Sequence, residues 1–244
     1  MVAAARADAR MQVFDDPGPL RTPPLLVVLS LITGCLMATC AYLAFFYAPL
    51  EAKMGFVQKI FYFHVPSAWN MFLGVTLAAV GSVGFLIRRT DRWDRLGDAA
   101  TELAIVFGAL VLISGPLWGR KAWGAFWVWD VRLTSSLVLI LTMVAAKIVR
   151  GYAGASAKQI AAGLTIFAVV DSAFVYYSVD IWRGTHPPKL IGSLDPRMKL
   201  VFWLSVFTFL LGFTCLLWVR LRMGKLKTAV ERLHMLSTEA GLDD

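Results

Sequence analysis

Met198-Lys-Leu-Val-Phe-Trp-Leu-Ser-Val-Phe-Thr-Phe-Leu-Leu-Gly-Phe-Thr-Cys-Leu-Leu-Trp-Val219 carries a single charge, Lys199, near its start and none afterwards. A helix needs roughly 20 mostly apolar residues to cross the hydrocarbon layer of a bilayer, so this stretch predicts a membrane span. Working back toward the N-terminus, the same reading finds five more spans, at residues 25–48, 66–87, 99–117, 133–149 and 160–179. Short polar joints separate them and leave no room for a soluble domain. The expected architecture is an all-α polytopic membrane protein: a six-helix domain over residues 25–219, between an N-terminal tail (1–24) and a C-terminal tail (220–244).

Composition agrees with that reading. Of the 244 residues, 58% are hydrophobic and 16% charged, and the mean hydropathy is +0.66, far too apolar for a soluble domain of this size. The opening residues hold Asp8, Asp15, Asp16 and prolines instead of the compact basic start and small-residue cleavage site of a secretory signal, so they read as a short, poorly ordered tail. Cys35, Cys40 and Cys215 all fall in apolar runs, where cysteine behaves as a small buried hydrophobe. No CxxC or CxxCH occurs, so neither a thiol redox pair nor a c-type attachment site is expected. The net charge of +8 is usual for a membrane protein with basic loops and does not call for nucleic acid.

With each Lys and Arg counted at the nearer membrane face, 15 fall with the tails and even-numbered loops and 9 with the odd-numbered loops. The positive-inside rule then puts both termini in the cytoplasm and turns loops one, three and five outward. Arg88, Arg89, Arg92 and Arg95 form the clearest inward marker.

The outward loops collect the unusual residues. Four of the nine tryptophans, Trp118, Trp123, Trp127 and Trp129, lie with Phe126 in the connection between spans three and four. One reading is an interfacial aromatic belt. Belts are spread over many helix ends, however, and the density here favours a platform for a flat ligand, with Gly119 and Gly124 letting backbone approach it. Asp130 and Arg132 read as a pair, or as partners of nearby backbone, that fixes the loop; the alternative is two solvated charges.

Two of the three histidines, His64 and His186, fall on the same outward side by helix parity, while His234 lies in the C-terminal tail. Pro66 suits a first helical position, which puts His64 just before span two; Pro187 and Pro188 keep His186 extended. Either alone could be a structural histidine. Together they could hold haem iron axially while indoles cover the macrocycle. Arg120, Lys121, Arg183 and Lys189 share that face and could meet propionates. Asp171, in the middle of span five, reads as a packing or hydrogen-bonding residue between helices ahead of a proton carrier, and Glu102 lies near enough to the cytoplasmic boundary to reach water.

The run 118–134 resembles the tryptophan-rich WWD signature of haem-handling membrane proteins. Phe63-His64-Val65-Pro66-Ser67-Ala68-Trp69 and Trp182-Arg183-Gly184-Thr185-His186 resemble the histidine segments of the CcmC family. The likeness covers the six-span core, and the chain is shorter than the related CcmF and CcsA proteins. This resemblance implies a multi-pass protein of the bacterial inner membrane with the tryptophan-rich loop (118–132) in the periplasm. It implies non-covalent binding of haem b there, with His64 and His186 as axial ligands. Trp118, Trp123, Phe126, Trp127, Trp129, Asp130, Arg120, Lys121, Arg132 and Arg183 would complete the site. It further implies delivery of haem to the chaperone CcmE during cytochrome c maturation, alongside the ABC-type subunits CcmA and CcmB and the small subunit CcmD. Phe126, where many members carry another Trp, and Asp171, where an uncharged polar residue is expected, depart from the pattern.

Other classes stay open on sequence alone: a permease moving haem or another small molecule through the bundle, a membrane dihaem cytochrome, or an assembly subunit whose loop docks a partner. No nucleophile-and-base set or phosphate-binding loop is found, so an enzyme is not expected. Positioning alone could still promote covalent haem attachment to a chaperone.

Overall fold

The structure, a computed structural model, describes residues 22–152, 154–182 and 191–239. His186, Arg183 and Lys189 lie outside the described residues, as does the tail 1–21. Six helices follow one another: α1 (Pro24–Tyr42, continued by a π turn at Leu43–Tyr47), α2 (Phe61–Arg88, entered through a 3-10 turn at Phe56–Ile60), α3 (Asp91–Ala122), α4 (Val131–Tyr152), α5 (Ala157–Ile181) and α6 (Pro196–Glu239). All six are long and apolar enough to cross a membrane, and no strand occurs among the described residues. The chain is a multi-pass membrane protein.

Four boundaries differ from the sequence expectation by five residues or more; one is the start of the third span, at Asp91 instead of Ala99. The second span starts at Phe61, so Pro66 sits in its second turn and His64 is already helical. Tertiary packing overrides the proline signal here: Tyr62 is fully buried, and Phe61 stacks on Phe202 of α6 with ring centroids 5.0 Å apart. Around Pro66, Ser67 Oγ donates to the Phe63 carbonyl and Asn70 Nδ2 to the Pro66 carbonyl, at 2.7 and 2.9 Å. The third span likewise runs through Pro116 to Ala122, which makes Trp118 helical and shortens the aromatic loop to 123–130. Finally, the C-terminal tail continues α6 to Glu239. At about 1.5 Å per residue, the 44 residues of α6 span roughly 66 Å, about twice the hydrocarbon thickness.

The core joins α2 through α6, with Met71, Val75, Phe107, Leu139, Met143 and Phe213 at its centre. Lipid tails are as apolar as these side chains, so helix association in a bilayer relies on close packing of small residues. α2 and α3 pack most intimately. A Cβ added at Gly74 would stand 2.9 Å from the Ala104 backbone nitrogen, and one at Gly81 would collide with the Gly97 backbone. A two-residue turn joins these helices, with Arg89 left-handed at φ 52°.

α1 is peripheral and touches mainly α6. Cys40 lies 3.3 Å from Thr208 Oγ1 there, and Cys40 and Cys215 are buried. Cys35 is exposed, contrary to the buried role expected for it, because most of the α1 surface faces away from the bundle.

At the end of the bundle where α2 meets α3 through the Arg89–Thr90 turn, three acidic residues of α3 clasp the other helices. Asp94 pairs with Arg150 of α4 and with Lys158 of α5, the latter at 2.8 Å. Asp98 pairs with Lys147 at 2.5 Å and Arg150 at 3.1 Å. Glu102 pairs with Lys147 at 2.5 Å and with Arg220 of α6. Beyond reaching water, Glu102 is thus tied into a network.

Gly81→Leu is expected to destabilise the protein by about 2 kcal/mol or more, because the side chain can fit only by separating α2 from α3. Thermal unfolding in detergent measures this; an unchanged midpoint would mean that the backbone contact is not needed.

Candidate functional site

The other end of the same helix pair carries the aromatic site. His64, in the first turns of α2, lies against Ser114 and Trp118 in the last turns of α3. His64 Nδ1 is 2.8 Å from Ser114 Oγ, and the imidazole meets the Trp118 ring edge-on with centroids 5.8 Å apart. The Ser114 hydroxyl donates to the Leu110 carbonyl at 2.5 Å. A hydroxyl has one proton, so with that proton on the Leu110 carbonyl the Ser114 oxygen accepts from His64, an arrangement that calls for the Nδ1–H tautomer. The tautomer thus points its basic nitrogen, Nε2, away from Ser114. Gly115 keeps the ring close: a Cβ there would stand 3.3 Å from His64 Cε1. The sequence reading missed Ser114 and Gly115, which look like ordinary small residues of an apolar run.

A small cavity of about 70 Å³ opens beside His64, walled by Trp118, Trp123, Trp127 and Arg132 and floored by apolar residues including Val175 of α5. Five residues expected at the site from the sequence therefore converge on one concavity. The others in the aromatic segment do not line it. Trp129 is 75% and Phe126 56% exposed; the Arg120 guanidinium lies over the Phe126 ring, 5.7 Å from its centroid, and donates to the Gly124 carbonyl. Lys121 is exposed on the last turn of α3.

The loop's backbone explains why the indoles face inward. Trp123 ends α3, its N–H bonding the Gly119 carbonyl at 2.9 Å. Its ring lies across Gly119, where an added Cβ would be 2.5 Å from Trp123 Cζ2. The space at Gly119 is thus filled by the chain's own indole and not left for a ligand's approach. Gly124, at φ 82°, makes the left-handed step that reverses the chain. Asp130 then caps α4: its Oδ1 accepts from the Leu133 N–H at 2.8 Å. Of the two roles considered for Asp130, it takes the one towards neighbouring backbone.

The first loop supports the same end. Lys59, only 2% exposed, reaches back so that Nζ donates to the carbonyls of Ala48 and Pro49. It is a structural tie and not a surface charge.

Nε1 of Trp123 and Nε1 of Trp127 are buried with no hydrogen-bond partner among the described residues. A buried donor left unsatisfied costs about 1–3 kcal/mol. Two at one cavity wall leave a deficit that a ligand carrying acceptor oxygens would relieve. Asp171, on α5 one helical turn from Val175, has a buried Oδ2 that also lacks a partner among the described residues. The interhelical hydrogen bond expected for it is not made by that oxygen.

Comparison with known proteins bears on what this arrangement is. The family model described as CcmC, Heme exporter protein C, matches residues 20–239. Heme exporter protein C of Bradyrhizobium diazoefficiens is 31% identical over 237 residues, covering 93% of this chain and 90% of that protein. The Escherichia coli K12 protein of the same name is 32% identical over 187 residues, covering 73% and 74%. A putative cytochrome c biosynthesis ccmC-like mitochondrial protein of Arabidopsis thaliana is 30% identical over 187 residues, covering 75% and 72%. With a family model that matches residues 20–239, and a relative 31% identical that covers 93% of it, the chain belongs to the CcmC, or haem exporter protein C, family.

Proposed function

We propose that the chain binds haem b non-covalently in the cavity beside His64, on the periplasmic face of the bacterial inner membrane, and delivers it to the chaperone CcmE. It would act as a haem-delivery subunit alongside CcmA, CcmB and CcmD. Family membership supports the coarser role, haem handling for cytochrome c biogenesis. The observation that carries the finer one is the convergence of His64 with Trp118, Trp123, Trp127 and Arg132 on a single cavity.

The residues present fit such a cargo. Indoles offer faces and edges to a flat ring, each good aromatic contact adding roughly 0.5–1.5 kcal/mol beyond burial. The partnerless N–H groups of Trp123 and Trp127 and the Arg132 guanidinium can receive carboxylate oxygens. His64 would supply Nε2 to the iron, its Nδ1–H held by Ser114 as metal-bound histidines are held by outer partners. His186 and Arg183, outside the described residues, are proposed as the second axial ligand and a further propionate partner. Bound haem supplies an iron centre that accepts imidazole ligands. The protein's own work is to bind the ring, orient it and shield its inner face from water. The exposed faces of Trp129 and Phe126 stand at the rim, where a receiving chaperone would meet the cargo.

The detergent-purified chain is expected to show a low-spin haem spectrum. Replacing His64 and His186 together by Ala should abolish that signature; a spectrum left unchanged would overturn the ligand assignment. Ser114→Ala is expected to weaken haem retention about tenfold or more, the usual cost of losing an outer partner of a metal-bound histidine, with the unfolding midpoint unchanged. Haem titration followed by visible absorbance measures this. Wild-type affinity would mean that Ser114 does not orient the imidazole.

A further inference from the structure

At the end of the bundle opposite the aromatic cavity, α3 and α6 enclose a cleft of about 610 Å³. Four cations line it, Arg92 and Arg95 from α3 and Arg222 and Lys225 from α6, together with the indoles of Trp93 and Trp218. No carboxylate lines it among the described residues. The acidic residues are segregated elsewhere. Asp94, Asp98 and Glu102 are held by Lys147, Arg150, Lys158 and Arg220, and Asp91 and Glu231 line the adjoining groove. Arg92, Arg95 and Lys225 enter no ion pair among the described residues.

The depth of the cleft is as informative as its charge. On α6 it begins where the uncharged run 200–219 ends, and on α3 it lies just before the apolar run that starts at Ala99. Both helices therefore change from apolar to charged at the same level, where hydrocarbon gives way to headgroups and where indoles prefer to sit. Leu96 and Leu221 add an apolar wall to the same cleft. The Arg95 stem lies against Gly224, with Cδ 3.1 Å from where a Cβ would be, which lets α6 approach α3; Arg95 lines both this cleft and the adjoining groove. A cationic concavity with apolar walls, set at headgroup depth between two membrane helices, suits an anionic amphiphile.

We infer that this cleft is a binding site for an anionic phospholipid, with the headgroup phosphates between Arg92, Arg95, Arg222 and Lys225 and the acyl chains against Leu96, Trp218 and Leu221. Four cations match a headgroup with two phosphates better than one. The inference is independent of the haem reading, since the two sites lie at opposite ends of α3.

The test uses the full-length chain, delipidated in neutral detergent, with three probes: tetraoleoyl cardiolipin, dioleoylphosphatidylcholine and inorganic pyrophosphate. Native mass spectrometry reads retention and thermal unfolding reads protection. Cardiolipin is expected to be retained and to raise the unfolding midpoint, and the other two are not. In the R92Q/R95Q/K225Q variant, cardiolipin retention should fall on the order of a hundredfold, about fivefold per cation, while the unliganded midpoint and haem uptake hold. Equal retention of phosphatidylcholine, equal protection by pyrophosphate, or a variant that keeps cardiolipin would overturn the proposal. So would a variant that keeps the lipid and loses only a partner subunit, which would make the cleft a protein interface. Should the triple variant not fold, the wild-type chain decides. Raising salt from about 0.05 to about 0.5 M should strip cardiolipin if charge holds it, and retention at high salt would overturn the assignment.

Discussion

The backbone contact between α2 and α3 governs the rest of the molecule. Gly74 against Ala104 and Gly81 against Gly97 bring the two backbones into contact at two levels, which sets the relative height of the helices. Because they run antiparallel from the Arg89–Thr90 turn, that height decides which residues meet at the far end. His64 meets Ser114 and Trp118 there, and at the near end the acidic residues Asp94, Asp98 and Glu102 meet the cations of α4, α5 and α6. In a bilayer, where no hydrophobic force drives helices together, such contact is the means of holding register.

The two ends of the bundle are built on different chemistry. The aromatic end concentrates rings and partnerless indole donors around one imidazole, a surface short of acceptors. The opposite end concentrates charge, neutralised where acidic residues reach it and left cationic in the cleft between α3 and α6. The haem uptake and the lipid binding proposed above would each draw on one side of that asymmetry. Positioning is the chain's contribution: the Ser114 hydroxyl fixes a tautomer, Gly119 makes room for Trp123, and Asp130 caps the helix that carries Arg132.

Much of this was legible in the amino-acid sequence, for physical reasons that particular residues show. The six spans could be read because a bilayer imposes one length and one polarity on every crossing helix. Their ends could not, since Phe61 to Phe63 and Trp118 to Ala122 extend the helices beyond the spans read from the sequence, and tertiary packing overrides the boundary that Pro66 signals. The density of tryptophan pointed to a ligand surface, and Trp118, Trp123 and Trp127 do line a cavity; Trp129 and Phe126, equally aromatic in sequence, face outward. Ser114 was invisible, because a hydroxyl in an apolar helix usually bonds only its own backbone. Its meaning depends on a histidine 50 positions away. Lys59 counted as a loop charge until its bonds to Ala48 and Pro49 showed it buried.

The most direct test of the central claim is a structure of the haem-loaded chain in a lipid nanodisc, determined by electron cryo-microscopy. The macrocycle is expected in the cavity bounded by His64, Trp118, Trp123 and Trp127, with the iron on Nε2 of His64 and Ser114 still bonded to Nδ1. A macrocycle lodged elsewhere in the bundle, or an iron that does not touch His64, would contradict the account.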